Sequence, residues 1–402
     1  MAGTTAVRRW PGPIAWPSRP ALIVFLVSLV PAAIQLHHWG WFLHLPAYLD
    51  FGNYYLYARM GMHDGWNTLY DLTVEYREWL SLGGIHVLPM FPMIYPPPLA
   101  WLVAPFTFLP LLVAFTIWAT MILVLFLWMW TVTAPGTRFQ RWTLLSLAIG
   151  ASPVALGLIL AQALVVVLAA VVGAWYLLRQ QHQVAAGLLL LLMAIKPQLA
   201  FIVPFTLLAA GYRRTFAVWA VGMALIVLLA IVSLGPDGVH AYQERLHAAS
   251  NGAAEFVIDV SMSIPGLLSR GWLGLTGQAT AGALALWAAY RRRRDGLEFA
   301  IIAGLIGSLL ITPYVHRQDL TALILAGWLY LRTAPPRIAK PFLIVGYLLV
   351  AGYLQLVIAL LTGGRGTEPV IVAFEVLWLL LIAFPIDLPA WRRQPQPLES
   401  AA

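Results

Sequence analysis

Three short stretches of this chain carry side chains that packing alone does not call for. "YLDFGNYY" at 48–55 sets Asp50 ahead of a run of aromatics, "MAIKPQLAF" at 193–201 isolates Lys196 between apolar runs, and "TPYVHRQDL" at 312–320 groups His316, Arg317 and Asp319. One carboxylate with a few cations has a definite chemistry. The carboxylate can take the proton of an attacking hydroxyl, while ammonium, guanidinium and imidazolium groups stabilise a phosphate that leaves with its charge. Transfer from a sugar phosphate needs that set. A glycosidase needs instead a second carboxyl about 5–10 Å from the first, because its leaving alkoxide must be protonated. Asp64 or Asp71 could serve, but nothing in the pattern requires it. No Asp-x-Asp occurs anywhere in the chain, which argues for a metal-independent reaction on a lipid monophosphate, with no cofactor implied.

Each of these residues also has a plainer reading. Asp50 is a favoured helix N-cap. Lys196 could snorkel from a helix end where Pro197 marks a break, and Gln162, alone in "LILAQALVV", suits an interhelix hydrogen bond. Arg317 and Asp319 could be solvated residues of a polar turn, and for Asp319 the two readings stay open. Lys196 favours function: only two of the 24 basic residues are lysines, and this one has no other charge nearby. An isolated ammonium between apolar runs should face a cavity and find an anion.

The elements that must position these residues lie in a membrane. The 402 residues are 61% hydrophobic and 10% charged, with a mean hydropathy of +0.81, values that mark a polytopic membrane protein. Its net charge of +8 does not point to nucleic acid, because the cations fall in short groups between apolar runs. Arg8, Arg9 and Arg19, then Arg213 and Arg214, Arg291 to Arg294, Arg332, Arg337 and Lys340, and Arg392 and Arg393 follow the pattern of cytoplasmic loops, with attraction to anionic membrane lipid as a by-product. There is no cysteine, so no thiolate site is available.

The expected fold is all-α: a polytopic bundle of about twelve transmembrane helices in one domain. An uncleaved first span at about 20–39 leads to an external catalytic loop at 40–95, the rest of the bundle fills 96–386, and a disordered cytoplasmic tail takes 387–402. Arginines beside the first and last spans put both termini inside and demand an even number of crossings. Residues 40–95, 235–270 and 314–319 are then outside and 291–296 inside. Tyr54, Tyr55, Tyr57 and Ala58 predict a short helix along the membrane surface with rings at headgroup depth. The outer polar residues, Asp50, Tyr54, Tyr55, Arg59, Asp64, Tyr70, Asp71, Tyr95, Gln162, Lys196, His316, Arg317 and Asp319, could line a single outward cleft. A secondary transporter is the rival, with Lys196 and His316 binding solute or protons. It predicts midplane charges on broken helices and repeat symmetry, whereas the charges gather at the outer edge and no repeat is visible.

The stretches "YLDFGNYYLYARMGMHDGWNTLYD", "MIYPPPLAWLVAPFTFLP", "LAQALVVVLAAVVGAWYLLRQQ", "AAGLLLLLMAIKPQLAFIVP" and "TPYVHRQDL" resemble, in order and spacing from about 48 to 330, the successive signatures of glycosyltransferase family 87. These are bacterial membrane mannosyltransferases of the GT-C superfamily. The resemblance implies a polyprenyl-phosphate-mannose donor, a lipid or glycan acceptor and a multi-pass protein of the inner membrane with an outward-facing site. It also implies that Asp50 is the base and that His316 is required, and it carries Gln162 over only weakly. The chemistry of the residues themselves puts Lys196, His316 and Arg317 around the donor phosphate, with Tyr54, Tyr95 and Gln162 as the substrate contacts. One departure is in "LAQA": the family has Gly before the Gln, where Ala161 stands here.

Overall fold

The computed structural model describes residues 18–42, 44, 50–84, 93–250, 262–268, 271–336, 339–362 and 366–384. Arg8, Arg9, the 387–402 tail and parts of both predicted external loops lie outside these. The structure is 83% helix, and no strand occurs among the described residues.

The first described helix is α1 (Arg19–Phe42), followed by two short helices, α2 (Asp50–His63) and α3 (Leu72–Ser81). A proline-opened α4 (Pro97–Val103) leads to the long α5 (Leu111–Thr133), then to α6 (Arg138–Gly150) and α7 (Ser152–Ile159). Next come α8 (Leu164–Arg179), α9 (Gln183–Leu189), α10 (Val203–Ala209) and α11 (Arg213–Ser250). The remainder is α12 (Ile264–Leu268), α13 (Trp272–Arg291), α14 (Leu297–Ile311), α15 (Thr321–Arg332), α16 (Ala339–Val350), α17 (Tyr353–Thr362) and α18 (Thr367–Ala383).

Among the described residues three helices, α1, α5 and α11, are long and apolar enough to cross a bilayer alone. The count rises to five if the bent pairs α6–α7 (70°) and α16–α17 (67°) each make one span. Four further apolar helical stretches, Pro97–Phe108, Leu164–Arg179, Gln183–Ile195 and Leu297–Ile311, are only 10–17 residues long, short of the roughly 20 a bilayer requires, so the described helices do not supply the expected twelve crossings. The outer surfaces are nonetheless lipid-like. On α1, Ile23 (60%), Val27 (64%) and Val30 (62%) project outward, a contiguous apolar face that water would not tolerate. This is an integral membrane protein.

The helix predicted at 54–58 forms as α2, but its rings face protein rather than a lipid surface. Tyr54, Tyr55 and Tyr57 are all buried in protein, because α2 packs against α4, α3 and the turn after α4. A helix that is apolar nearly all round belongs in a core. Phe51 stacks on Trp118 of α5 with ring centroids 5.4 Å apart, and the Tyr55 hydroxyl donates to the Leu109 carbonyl at 2.8 Å.

The loop expected to begin at 235 also differs. Gly235 takes φ +62°, a left-handed conformation open to glycine, and Pro236 follows without an N–H to continue the ladder. The chain kinks there and then coils again, so the second half of α11 returns as helix against the turn at 66–68. Arg245 on that half bonds Glu75 of α3 at 2.6 Å and the Tyr70 carbonyl at 2.8 Å, and Tyr57 donates to the other Glu75 oxygen at 2.7 Å.

Broken helices set the functional geometry. The α7–α8 junction holds Gln162, the break between α9 and α10 holds Lys196 and Pro197, and the α14–α15 junction holds His316 to Asp319. The N-terminal ends of α2, α8 and α15 meet at one end of the bundle. At the other, Arg332 closing α15 donates to the Val132 carbonyl of α5, and Trp175 of α8 donates to Glu298 of α14. Site-forming breaks and arginine-bearing termini thus occupy opposite ends of the same helices.

Candidate active site

Lys196 caps the 3-10 turn Leu190–Ile195, its backbone N–H bonding the Met193 carbonyl, and it has no solvent exposure. Its ammonium finds an anion in the chain itself: Nζ lies 2.6 Å from Oδ1 of Asp319. Asp319 is therefore not a solvated turn residue. Its other oxygen accepts from the His316 backbone N–H at 3.1 Å, which fastens the "TPYVHRQDL" turn onto the lysine. The Lys196 ammonium also reaches Oε1 of Gln162 at 3.5 Å, and the Tyr54 hydroxyl donates to the same oxygen at 3.1 Å. Tyr95 covers the group, its ring 5.9 Å from the ammonium and 5.6 Å from the Tyr54 ring. Tyr70, in turn, donates to the Tyr95 carbonyl at 2.8 Å.

Asp50 opens α2 beside this cluster. The residue is partly exposed, while protein closely surrounds its carboxyl group. No described residue donates to its carboxylate, so the N-cap bond that the residue type would suit is not made. Burial pushes the Asp50 carboxyl up to about 6, against the pull of Lys196 and with a further push from Asp319. At neutral pH it is mostly ionised and still basic, which suits a group that must accept a proton. Three residues on, and so on the same helix face, Asn53 has a buried Oδ1 that accepts from no partner.

His316 is half-buried and its ring lies 5.5 Å from Tyr314, whose hydroxyl accepts from Gln198 at 3.0 Å. Burial holds the imidazole below its ordinary pKa, opposed by Asp319 and aided by Lys196. It therefore donates through a neutral N–H rather than as the imidazolium expected from sequence. Arg317 is exposed on the same turn.

The other carboxylates of the loop are engaged elsewhere. Asp71 caps α3 by accepting from Thr73 and Val74, Asp64 pairs with Arg77, and Glu78 pairs with Arg59 at 3.2 Å. These duties separate Arg59, Asp64 and Asp71 from the Lys196 cluster. Among the described residues no group of three or more His, Asp or Glu is placed to hold a metal ion. Asn53, Tyr314 and Gln198 are the neighbours that sequence reasoning did not single out, and Asp319, left open there, is the buried partner of Lys196.

Residues 93–313, more than half of the chain, match glycosyltransferase family 87. The chain belongs to that family. No curated protein and no solved structure matches it. Family 87 membership makes the protein a membrane glycosyltransferase with a sugar donor and an acceptor as substrates. The matched span holds Tyr95, Gln162 and Lys196; His316 lies just past its end, and Asp50 lies well ahead of its start.

Ala161 takes a backbone conformation that suits glycine better than a side chain. Ala161 has φ +48°, its carbonyl accepts from Trp118 at 2.8 Å, and the next N–H bonds Gly157 at 2.9 Å, so the turn presenting Gln162 depends on that backbone. A left-handed conformation costs a side chain roughly 1–2 kcal/mol, of which the freedom of glycine in the unfolded chain offsets roughly 0.4–1. Ala161→Gly is expected to stabilise the protein by about 0.5–1 kcal/mol, read as a rise in thermal midpoint in detergent. A lowered midpoint would contradict the strain.

Proposed function

We propose that the enzyme moves a hexose, mannose, from a polyprenyl-phosphate donor to a lipid or glycan acceptor at the outer face of a bacterial inner membrane, with inversion. The observation that carries this reading is Asp50: a closely surrounded carboxylate titrating near 6 that no described residue engages, while its carboxylate neighbours are capped or paired. Asp50 takes the proton as the acceptor oxygen bonds to the anomeric carbon, and the carbon–phosphate oxygen bond breaks with its electron pair going to phosphate. His316 and Arg317 donate to the departing phosphate, and Lys196 supplies positive charge from beneath, tempered by Asp319. The unpartnered Asn53 oxygen fits a sugar hydroxyl, alongside Tyr54, Tyr95 and Gln162. A phosphate leaves without protonation, so one free carboxylate suffices. The arginine termini at the far end of the bundle support an outward site through the positive-inside rule.

The test is incubation of the lipid-reconstituted protein with labelled polyprenyl-phosphate mannose and extracted membrane lipids. A labelled product with inverted anomeric configuration is expected. Solute uptake into vesicles with no product would favour a transporter instead. Protonating Asp50 removes the base, so donor use should fall about tenfold per pH unit below about 6, and a rate level down to pH 4 would exclude Asp50 from that role.

A further inference from the structure

The arginine end of the bundle carries a built hollow that the transfer reaction does not use. An open hollow of about 310 Å³ is lined by Thr131, Ala134, Pro135, Gly136, Arg141 and Arg332, where the C-terminal ends of α5 and α15 meet the start of α6. Arg141 is tied to the Thr131 carbonyl through one terminal nitrogen, yet its Nε is buried with no partner. Arg332 donates to the Val132 carbonyl at 3.1 Å and lies 5.2 Å over the Trp175 ring, with Arg179 5.0 Å over that ring as well. Three arginines repel one another here and a single carboxylate, Glu298, offsets them, which leaves a surplus of positive charge. Through Pro135 and Gly136 this hollow continues into a second of about 550 Å³, walled by Pro20, Val24, Phe139, Leu144 and Leu331. That second wall is apolar and flanks α1, whose outward face is lipid-like.

We infer that these joined hollows bind one anionic phospholipid, its phosphate on Arg141 and Arg332 and an acyl chain along the groove between α1 and α6. A phosphate ester answers the unpaired guanidinium N–H and the uncompensated charge, and a basic pocket between helices is how headgroups are held on the cytoplasmic side. Free phosphate would use the first hollow and leave the second empty; the joined volumes lie in the range of ligand sites. The position is distant from the transfer site, since the roughly 13 residues from Trp118 to Thr131 span about 20 Å of helix.

The test uses the full chain in neutral detergent, with native mass spectrometry and thermal midpoint as readouts during titration with dioleoyl phosphatidylglycerol. One retained lipid and a saturable rise in midpoint are expected, absent with phosphatidylcholine. The double variant Arg141→Gln with Arg332→Gln should bind roughly thirtyfold more weakly. Because that variant could unfold, Ala21→Phe serves beside it: filling the groove at its α1 wall should expel the lipid while leaving midpoint without lipid unchanged. Equal retention of the neutral lipid, or an equal rise with inorganic phosphate alone, would overturn the assignment. So would full lipid binding by both variants.

Discussion

Asp50→Asn is expected to fold as the parent does and to lose turnover by roughly a hundredfold or more. The substitution keeps the size of the side chain and removes its basicity. Since no described residue donates to the Asp50 carboxylate and burial opposes its charge, neutralising it should not destabilise the protein. Folding and chemistry therefore separate cleanly at this position. A structural cap would behave in the opposite way, with near-normal turnover in Asp50→Asn and a stability loss of about 1 kcal/mol in Asp50→Ala. Yield, thermal midpoint and turnover of both variants decide between these outcomes. An active Asp50→Asn enzyme would remove Asp50 from the catalytic role.

Lys196→Ala is expected to be the most destabilising single change in the site. It would leave Asp319 buried with its charge unopposed, and breaking a buried pair from one side costs about 3–5 kcal/mol. The loss spreads to chemistry, because Asp319 also holds the His316 backbone and Lys196 holds down the Asp50 pKa. Replacing both members by apolar residues of similar size, Lys196→Met with Asp319→Leu, should recover most of the midpoint, since that exchange is often neutral. Turnover should not recover, and this contrast separates the pair's charge from its packing. A thermal midpoint for Lys196→Ala within a degree or so of the parent would show that the pair does not hold the turn.

Much of the cluster was visible in the sequence because a membrane makes isolated polar residues conspicuous. Lys196, Gln162 and Asp50 each interrupt apolar or aromatic surroundings, and the structure brings Lys196, Gln162, Tyr54 and Tyr95 into contact with Asp50 beside them. Asp319 was ambiguous for a physical reason. An aspartate in a polar turn looks solvated, and its partner is 123 residues away, so no local pattern announces the pair. Arg59 read as an outer site residue only because the helical turns that pair it with Glu78 could not be placed from composition. The apolar runs announced a helical membrane protein, but hydropathy does not report where the backbone breaks. The conformations of Ala161 and Gly235, and the bends after Gly150 and Val350, depend on tertiary packing.

The convergence of α2, α8 and α15 by their N-terminal ends has an electrostatic consequence of its own. Each peptide dipole in those helices points its positive end at the site, and each terminus behaves as about half a positive charge within its first turn. Three such ends contribute a field on the order of a whole charge or more, fixed in the backbone and paid for during folding. The field favours a carboxylate at the first position of α2 and a phosphate departing nearby, two anions that would otherwise repel each other. It does not titrate, and no single side-chain deletion can remove it.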